Sequence, residues 1–166
     1  MPEISSSQLT GPQADSFRKA KEAISRQNWE YILMLVPPIL EAHPGFLEGR
    51  KVLRAAQVAK TKGASALEKS MAGVKVAPLV IAAKATAGKS LGGALAKIEE
   101  ALGVDPTNAQ ANSTLAELAL ENDLPGTAIF AHETVRTAKP QDTGNLHGLA
   151  RAYIAAKQMA KARDTY

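Results

Sequence analysis

The segment PTNAQANSTLAELALENDLPGTAIFAHETVRTAKP, residues 106–140, begins and ends with a proline. Pro106 and Pro140 each follow a stretch of helix-forming residues, and Pro44 does the same earlier in the chain. A proline ends a helix because it has no amide hydrogen and its ring clashes with the preceding turn. The spacing of 34 residues between Pro106 and Pro140 is the length of one helix-turn-helix repeat. We therefore predict a stack of short antiparallel helix pairs.

A pattern of large and small residues recurs at this period. Large side chains share one helix face, and small ones stand where two helices must approach closely. In the last unit these positions are Leu146, Leu149, Ala150, Tyr153, Ala162 and Tyr166. One period earlier they are Asn112, Leu115, Ala116, Ala119, Ala128 and His132. Two periods earlier they are Pro78, Ile81, Ala82, Ala85, Ala94 and Ile98. The small residues recur best, which favours close helix packing.

This pattern resembles the tetratricopeptide repeat family. The resemblance implies an all-α, right-handed α-solenoid of about five antiparallel helix pairs, one of them irregular. It covers residues 75–166 best, 12–44 acceptably and 45–74 poorly. We expect a single domain over residues 1–166, divided into the units 12–44, 45–74, 75–108, 109–142 and 143–166. Because the last unit stops inside its second helix, we expect the chain to be the N-terminal part of a longer repeat protein.

The composition supports the all-α prediction. The chain has 31 alanines but only 3 Phe, 3 Tyr and 1 Trp, which favours helices packed through small side chains over a β-sheet. It has no cysteine, which excludes a disulfide framework and a thiolate metal site. The N-terminus carries no secretory signal, and the longest apolar run, Val76–Ala83, is shorter than the roughly 20 residues of a membrane-spanning helix. We expect a soluble, cytoplasmic protein without a transmembrane segment.

Local signals predict several helix boundaries. A helix should start at Thr10–Gln13, and a capping box at Thr107–Gln110 should start another. A helix over 29–43 should kink or break at Pro37 and Pro38, because each proline removes a backbone hydrogen bond. The irregular unit should contain a helix over 46–61 and a short helix over 66–74.

The charge of the chain is uneven. Residues 50–97 hold ten cationic side chains and one anionic side chain, a local charge of +9, and the rest of the chain has a charge of −5. Five cations form a candidate basic patch: Arg50, Lys51, Arg54, Lys60 and Lys62. An electrostatic adaptor that meets an anionic membrane surface or nucleic acid is therefore an alternative function. The segment has no aromatic residue to stack on bases, which argues against nucleic acid.

Residues 83–90, AKATAGKS, resemble a phosphate-binding loop with alanine at the first glycine position. In that interpretation Val76–Ala82 is a buried strand, Lys89 reaches a phosphate and Ser90 binds magnesium. The repeat period instead places Gly88–Ser90 in the turn between two helices. We favour the turn, because a phosphate-loop enzyme needs a parallel sheet and no other segment supplies strands. A nucleotide-binding protein is kept as a minor alternative.

No group of side chains has the spacing of a catalytic or metal site. His43, His132 and His147 form no pair at metal-ligand spacing, so we expect neither a metal nor a cofactor. Glu99 and Glu100 are adjacent on a helix and diverge, so they are expected on a solvated face and cannot share a proton. We predict that the protein is not an enzyme.

The remaining candidate surface is the concave face built by the first helix of each unit. In the resembling family this groove binds peptides or helices, which implies a scaffold for a protein partner. The residues expected there are Phe17, Lys21, Lys51, Val58, Leu79, Thr86, Ser113, Glu117, Leu120, His147, Arg151 and Ile154. The family's carboxylate-gripping Lys and Asn set is not carried over, because only Lys51 fits and Ala55 stands where Asn is expected. The inner face could also be wetted, or covered by a further C-terminal part. The sequence leaves the partner's identity and the oligomeric state open.

Overall fold

A computed structural model describes residues 2–166 of the chain. Within these residues it contains nine α-helices and no β-strand, which confirms the all-α prediction. The helices are α1 (Gly11–Ser25), α2 (Trp29–Ala42), α3 (Leu47–Thr61), α4 (Ala66–Ala87), α5 (Leu91–Val104), α6 (Ala109–Glu121), α7 (Pro125–Ala138), α8 (Thr143–Ala155) and α9 (Met159–Asp164).

Three helices end just before the prolines that were predicted to end them. Helices α2, α5 and α7 end two residues before Pro44, Pro106 and Pro140, as predicted. The predicted capping box is wrong in its residues. Asn108, and not Thr107, caps α6, because its side chain accepts a backbone amide hydrogen bond at 2.9 Å.

Helix α2 continues through Pro37 and Pro38 without a break. The prolines remove two backbone hydrogen bonds, but Val36 and Ile39 on either side of them are buried in the core. Burial of this apolar face stabilises the helix more than the missing hydrogen bonds destabilise it.

The helix expected over 66–74 is only the first part of α4, which has 22 residues. The boundary predicted at residue 74 therefore lies inside a helix. The buried positions of α4 are Ala72, Val76, Val80 and Ala83. The predicted core positions Pro78, Ile81 and Ala85 are exposed, so the repeat register is wrong in this helix. The physical reason is that α4 packs mainly against α5 and α6, whereas α3 packs against α2 and α5.

The register is correct in the unit 109–142, where all six predicted core positions are buried. In the last unit four of the six predicted positions are buried: Leu149, Ala150, Tyr153 and Ala162. Leu146 is half-buried and Tyr166 is exposed. Consecutive helices from α4 to α9 pack against each other, and α6 also packs against α4 and α8.

Two apolar clusters form most of the core. The first joins α1, α2 and α3 around Phe17, Ile32 and Phe46. The second joins α4 to α8 and contains many alanines beside larger side chains. Helices α2 and α5 link the two clusters at Gly92, where a Cβ atom would lie 2.2 Å from the carbonyl oxygen of Glu41. Only glycine permits this close approach.

Three turns between paired helices have the same geometry. Gln27, Asp123 and Lys157 adopt φ angles of 53°, 58° and 59°, in the left-handed region. In each turn the amide of the next residue donates to the carbonyl oxygen five residues earlier, at 3.0, 2.8 and 2.8 Å. This bond satisfies a carbonyl at the end of the first helix. The turns of α6–α7 and α8–α9 are one 34-residue period apart.

The N-terminal segment contacts two distant parts of the chain, the loop before α3 and the start of α7. The amide of Ile4 donates to the carbonyl of Gly45 at 3.0 Å. The carboxylate of Glu3 accepts hydrogen bonds from the Thr127 amide at 2.6 Å and from the Thr127 hydroxyl at 3.1 Å. Glu3 therefore caps the start of α7 from 124 residues away.

Candidate functional site

Two residues of the predicted basic patch are buried. Arg50 has no exposed surface and Arg54 is 4% exposed. Both contact the carboxylate of Glu99 on α5. Arg50 Nε donates to Oε1 at 2.8 Å, and Arg54 Nη2 donates to Oε2 at 3.3 Å. Glu99 is buried as well, so its predicted place on a solvated face is wrong. The exposed residues of the predicted patch are Lys51, Lys60 and Lys62.

Neutral side chains complete this buried cluster. Gln57 accepts from Arg54 Nε at 2.8 Å and donates to the Glu99 carbonyl at 3.0 Å. Asn112 on α6 accepts from Arg54 Nη1 at 3.1 Å. The Arg54 guanidinium also lies 5.5 Å from the centroid of the Phe130 ring. The cluster therefore ties α3 to α5, α6 and α7.

Two guanidinium groups share one carboxylate in this cluster. Burial raises the pKa of Glu99, but the charges of Arg54 and Arg50 outweigh burial and hold that pKa below its usual value. Burial lowers the pKa of Arg54, and the charge of Glu99 opposes this effect. Glu99 is ionised at neutral pH and compensates buried positive charge. Glu99 joins α5 to α3 through both arginines.

A cavity of about 380 Å³ lies beside the cluster, between α2, α3 and α5. Its lining is mostly apolar and includes Leu33, Pro37, Leu53 and Leu95. Arg50 borders the cavity, and its Nη2 atom is buried without a hydrogen-bond partner among residues 2–166.

The predicted concave residues do not form one groove. Phe17 is 2% exposed and packs edge-on against Phe46, with ring centroids 4.6 Å apart. Lys21 is exposed, with its ammonium nitrogen 5.2 Å from the Phe17 ring centroid. Phe17 is therefore a core residue, and its predicted place in a groove is wrong.

Lys51 and Val58 border a groove of about 570 Å³ between α3 and α7. Trp29 and Phe130 border the same groove. No residue of α4, α6 or α8 borders it. Val58 also borders a second groove with Glu68, Lys69 and Lys75 of α4. Neither groove includes the predicted residues of α4, α6 and α8.

The other predicted residues lie on α4, α6 and α8. The half-buried ones are Leu79, Thr86, Ser113 and Leu120, and the exposed ones are Glu117, His147, Arg151 and Ile154. Lys84 of α4 pairs with Glu117 of α6 at 3.6 Å. His147 Nδ1 lies 3.0 Å from the Tyr166 hydroxyl. This face is mainly polar and carries charges of both signs.

A continuous apolar surface lies on the face of α4 that points away from the core. Four large side chains are exposed there: Leu67 (72%), Met71 (46%), Val74 (67%) and Ile81 (69%). We call these four residues the outer row. Their spacings are four, three and seven residues, and Pro78 is exposed between the last two, so they share one side of the helix.

Helix α4 is apolar on two opposite faces, because Ala72, Val76, Val80 and Ala83 fill the core side. Within residues 2–166 it is the one helix long and apolar enough to cross a membrane by length and composition. Of its most apolar stretch of 18 residues, only 22% is buried inside the protein. The expectation of no transmembrane segment was based on the run Val76–Ala83, which is only one part of this 22-residue helix. Core helices of soluble proteins can have the same length and composition, so these two properties do not assign a membrane span.

Gly88–Ser90 of the phosphate-loop motif form the turn between α4 and α5, as the repeat period predicted, and residues 83–87 of the motif are the end of α4. Ser90 caps α5 by accepting a hydrogen bond from the Gly93 amide at 3.0 Å. Lys89 is exposed. Val76–Ala82 is helical, so the strand that a phosphate-binding loop needs before it is not formed.

His132 is buried on α7 beside α8. Its Nδ1 lies 2.9 Å from Asn145 Oδ1, and Asn145 Nδ2 donates to the His132 carbonyl at 2.8 Å. Burial lowers the pKa of His132, and the hydrogen bond with Asn145 opposes this effect. The two hydrogen bonds between His132 and Asn145 join α7 to α8. In the described part of the chain no three His, Asp or Glu side chains are placed to hold a metal ion.

Sequence reasoning missed the outer row for an identifiable reason. The spacing of Leu67, Met71, Val74 and Ile81 is visible in the sequence. The 34-residue period, however, placed Ile81 in the core and ended a unit at residue 74. The pairing of Arg50 with Glu99 cannot be read from the spacing of residues in the sequence, because 49 residues separate the two.

Comparison of the chain with protein-family models, curated proteins and solved structures gave no match.

Proposed function

We propose that this protein is a non-catalytic interaction module that binds a protein partner on the outer row of α4. The exposure of Leu67, Val74 and Ile81 in a single row carries this proposal. Contiguous exposed apolar side chains are typical of binding surfaces, because water leaves them when a partner docks. The row stands on a continuous helix that packs against α5 and α6, so the surface is preformed.

The proposal includes a tetratricopeptide-like solenoid as the arrangement of the helix pairs. Equivalent left-handed turns at Asp123 and Lys157, one period apart, support it. The proposed binding surface differs from the concave groove of the resembling family. The face of α4, α6 and α8 is mainly polar, and Phe17 is buried in the core.

The two alternative functions have less support. An electrostatic adaptor would use the basic patch, but Arg50 and Arg54 are buried and Lys60 pairs with Glu30. A nucleotide-binding protein would need a strand at Val76–Ala82, which is helical.

The test compares capture from a cell lysate by three proteins. These are the parent, the outer-row variant Val74→Glu/Ile81→Glu, and the control variant Met34→Glu/Ile154→Glu. The control changes two apolar residues of similar exposure, 62% and 51%, on other helices. A captured protein is identified, purified and titrated against all three by calorimetry.

We expect the parent and the control to bind the purified partner with equal affinity. The outer-row variant should bind at least about tenfold more weakly, since burial of one large aliphatic side chain stabilises a complex by roughly 1.5–3 kcal/mol. Thermal unfolding should be similar in all three proteins, because the substituted positions are exposed. Equal binding by the parent and the outer-row variant would show that the proposed surface is wrong.

A further inference from the structure

The cavity between α2, α3 and α5 is large enough for a small organic molecule. Its volume of about 380 Å³ lies within the range of roughly 300–1,000 Å³ that is typical of small-molecule pockets. All three helices supply apolar side chains to its walls, among them Leu33, Leu53 and Leu95. Each of these helices packs against the other two, so the cavity is a preformed part of the fold.

One hydrogen-bond donor beside this cavity has no acceptor. Arg50 borders the cavity, and two of its guanidinium nitrogens are occupied. Nε donates to Glu99 at 2.8 Å, and Nη1 donates to the Pro44 carbonyl at 2.9 Å. Nη2 is the one buried side-chain nitrogen or oxygen without a hydrogen-bond partner among residues 2–166. Because an unpaired buried donor lowers stability, a ligand that supplies an acceptor to this atom is stabilised by it.

The charges around the cavity disfavour an anionic ligand. Besides Arg50, the carboxylates of Glu41, Glu99 and Glu100 border the cavity. Glu99 is already paired with buried arginines, and Glu100 pairs with Lys97 at 3.1 Å. A carboxylate or phosphate that enters the cavity would approach these negative charges in mostly apolar surroundings, which costs free energy. An uncharged acceptor, such as the carbonyl of a ketone, ester or amide, avoids this cost.

We infer that this cavity binds an uncharged, apolar small molecule with one carbonyl oxygen, which accepts a hydrogen bond from Arg50 Nη2. Burial of the apolar body against the leucine side chains of the walls supplies most of the binding free energy. Arg50 has no exposed surface, so the carbonyl reaches Nη2 when a side chain of the lining changes rotamer. No residue of α4 borders the cavity, so the inference does not depend on the proposed function of the outer row.

The test uses three probes of similar shape that differ in one group. Acetophenone carries a carbonyl on an apolar ring, ethylbenzene has no acceptor, and benzoate carries a carboxylate. Two-dimensional NMR of the isotope-labelled full chain gives the dissociation constants and the amides that each probe affects. Acetophenone should bind at least about tenfold more tightly than ethylbenzene, as expected for a hydrogen bond from a charged donor. Benzoate should bind more weakly than acetophenone.

Two variants locate the binding site. Ala96 borders the cavity, so Ala96→Phe places a ring inside it and should abolish binding of acetophenone and of ethylbenzene. The control Ala82→Phe makes the same change at a half-buried alanine of α4, which does not border the cavity. This control should bind both probes as the parent does.

A third variant tests the hydrogen bond. Arg50→Lys keeps a positive charge beside Glu99 but removes Nη2. Acetophenone should then bind no more tightly than ethylbenzene, while the affinity for ethylbenzene stays unchanged. Circular dichroism checks that the variant is folded. If it is not, the comparison of the three probes in the parent still decides.

Equal affinity of the parent for acetophenone and ethylbenzene would overturn the inference, because Nη2 would then take no part in binding. Tighter binding of benzoate than of acetophenone would also contradict it. Binding that persists in Ala96→Phe would place the site elsewhere, and no binding of any probe would show that the cavity does not admit a ligand.

Discussion

Glu99 is the residue on which two buried arginines depend. Without its carboxylate, Arg50 and Arg54 would be two like charges in the core with no compensating anion. The cost of burying a charge is large unless a partner of opposite charge is close. Arg50 Nη2 already has no hydrogen-bond partner among residues 2–166. Loss of the Glu99 acceptor would leave further buried donors without a partner, which lowers stability.

We expect Glu99→Gln to lower the free energy of unfolding by about 3–5 kcal/mol, because it removes the charge and keeps the shape. Urea denaturation measures the difference. The matched control is Glu100→Gln, which loses only a surface pair with Lys97 and should change stability by less than about 0.5 kcal/mol. If the two variants unfold at the same urea concentration, the buried ion pairs do not form in solution.

The same pair of variants gives a pH test. The pKa of Glu99 is lowered in the folded protein, chiefly because the arginine charges outweigh the effect of burial. Its contribution to stability is therefore complete above the unfolded pKa of about 4.3 and is lost as the pH falls through the folded value. Parent and Glu99→Gln should thus become closer in stability on acidification below about pH 4, and a constant difference would contradict the lowered pKa.

The elements of this fold were predictable where local chemistry sets them. Prolines and turn residues marked the ends of α2, α5 and α7, because the residues that end a helix lie next to the end. The face that a helix buries was less predictable, since it depends on distant neighbours. Ile81 fits a repeat slot but is exposed, because α4 packs against α5 and α6 through the side that carries Val76 and Val80, and Ile81 lies on the other side of the helix. The outer row was missed for this reason.

The three equivalent turns between helix pairs allow a test of the repeat. Gln27 and Lys157 hold left-handed φ angles, in which a Cβ atom is unfavourable. Gln27→Gly and Lys157→Gly should each raise the free energy of unfolding by about 0.5–1 kcal/mol. Lys89, one period before Asp123, does not have a left-handed φ angle. Lys89→Gly should therefore not stabilise the protein, and a gain as large as that of Lys157→Gly would show that the α4–α5 turn has the same geometry as the others.

At the scale of the whole molecule, the N-terminal segment distinguishes this chain from a simple array. In an array each repeat contacts only its neighbours, so units can unfold separately. Here Glu3 caps α7 and Ile4 pairs with the loop before α3. The first and second halves of the chain are thus joined directly, and we expect residues 2–166 to unfold as one cooperative unit.

Glu3→Ala removes the acceptor for the Thr127 amide at the start of α7, where Leu124 provides no side-chain cap. The loss of such a cap should lower the free energy of unfolding by about 1–2 kcal/mol. The control Glu22→Ala breaks only the exposed pair with Arg18 and should cost less than about 0.5 kcal/mol.

Urea unfolding is followed by circular dichroism and by the fluorescence of Trp29, the single tryptophan of the chain. In the parent the two signals should change at one midpoint, because the link at Glu3 couples α7 to the α1–α3 region around Trp29. Separate midpoints in the parent would mean that the helix pairs unfold independently, as in a simple array. Equal stability of the two variants would mean that Glu3 does not cap α7.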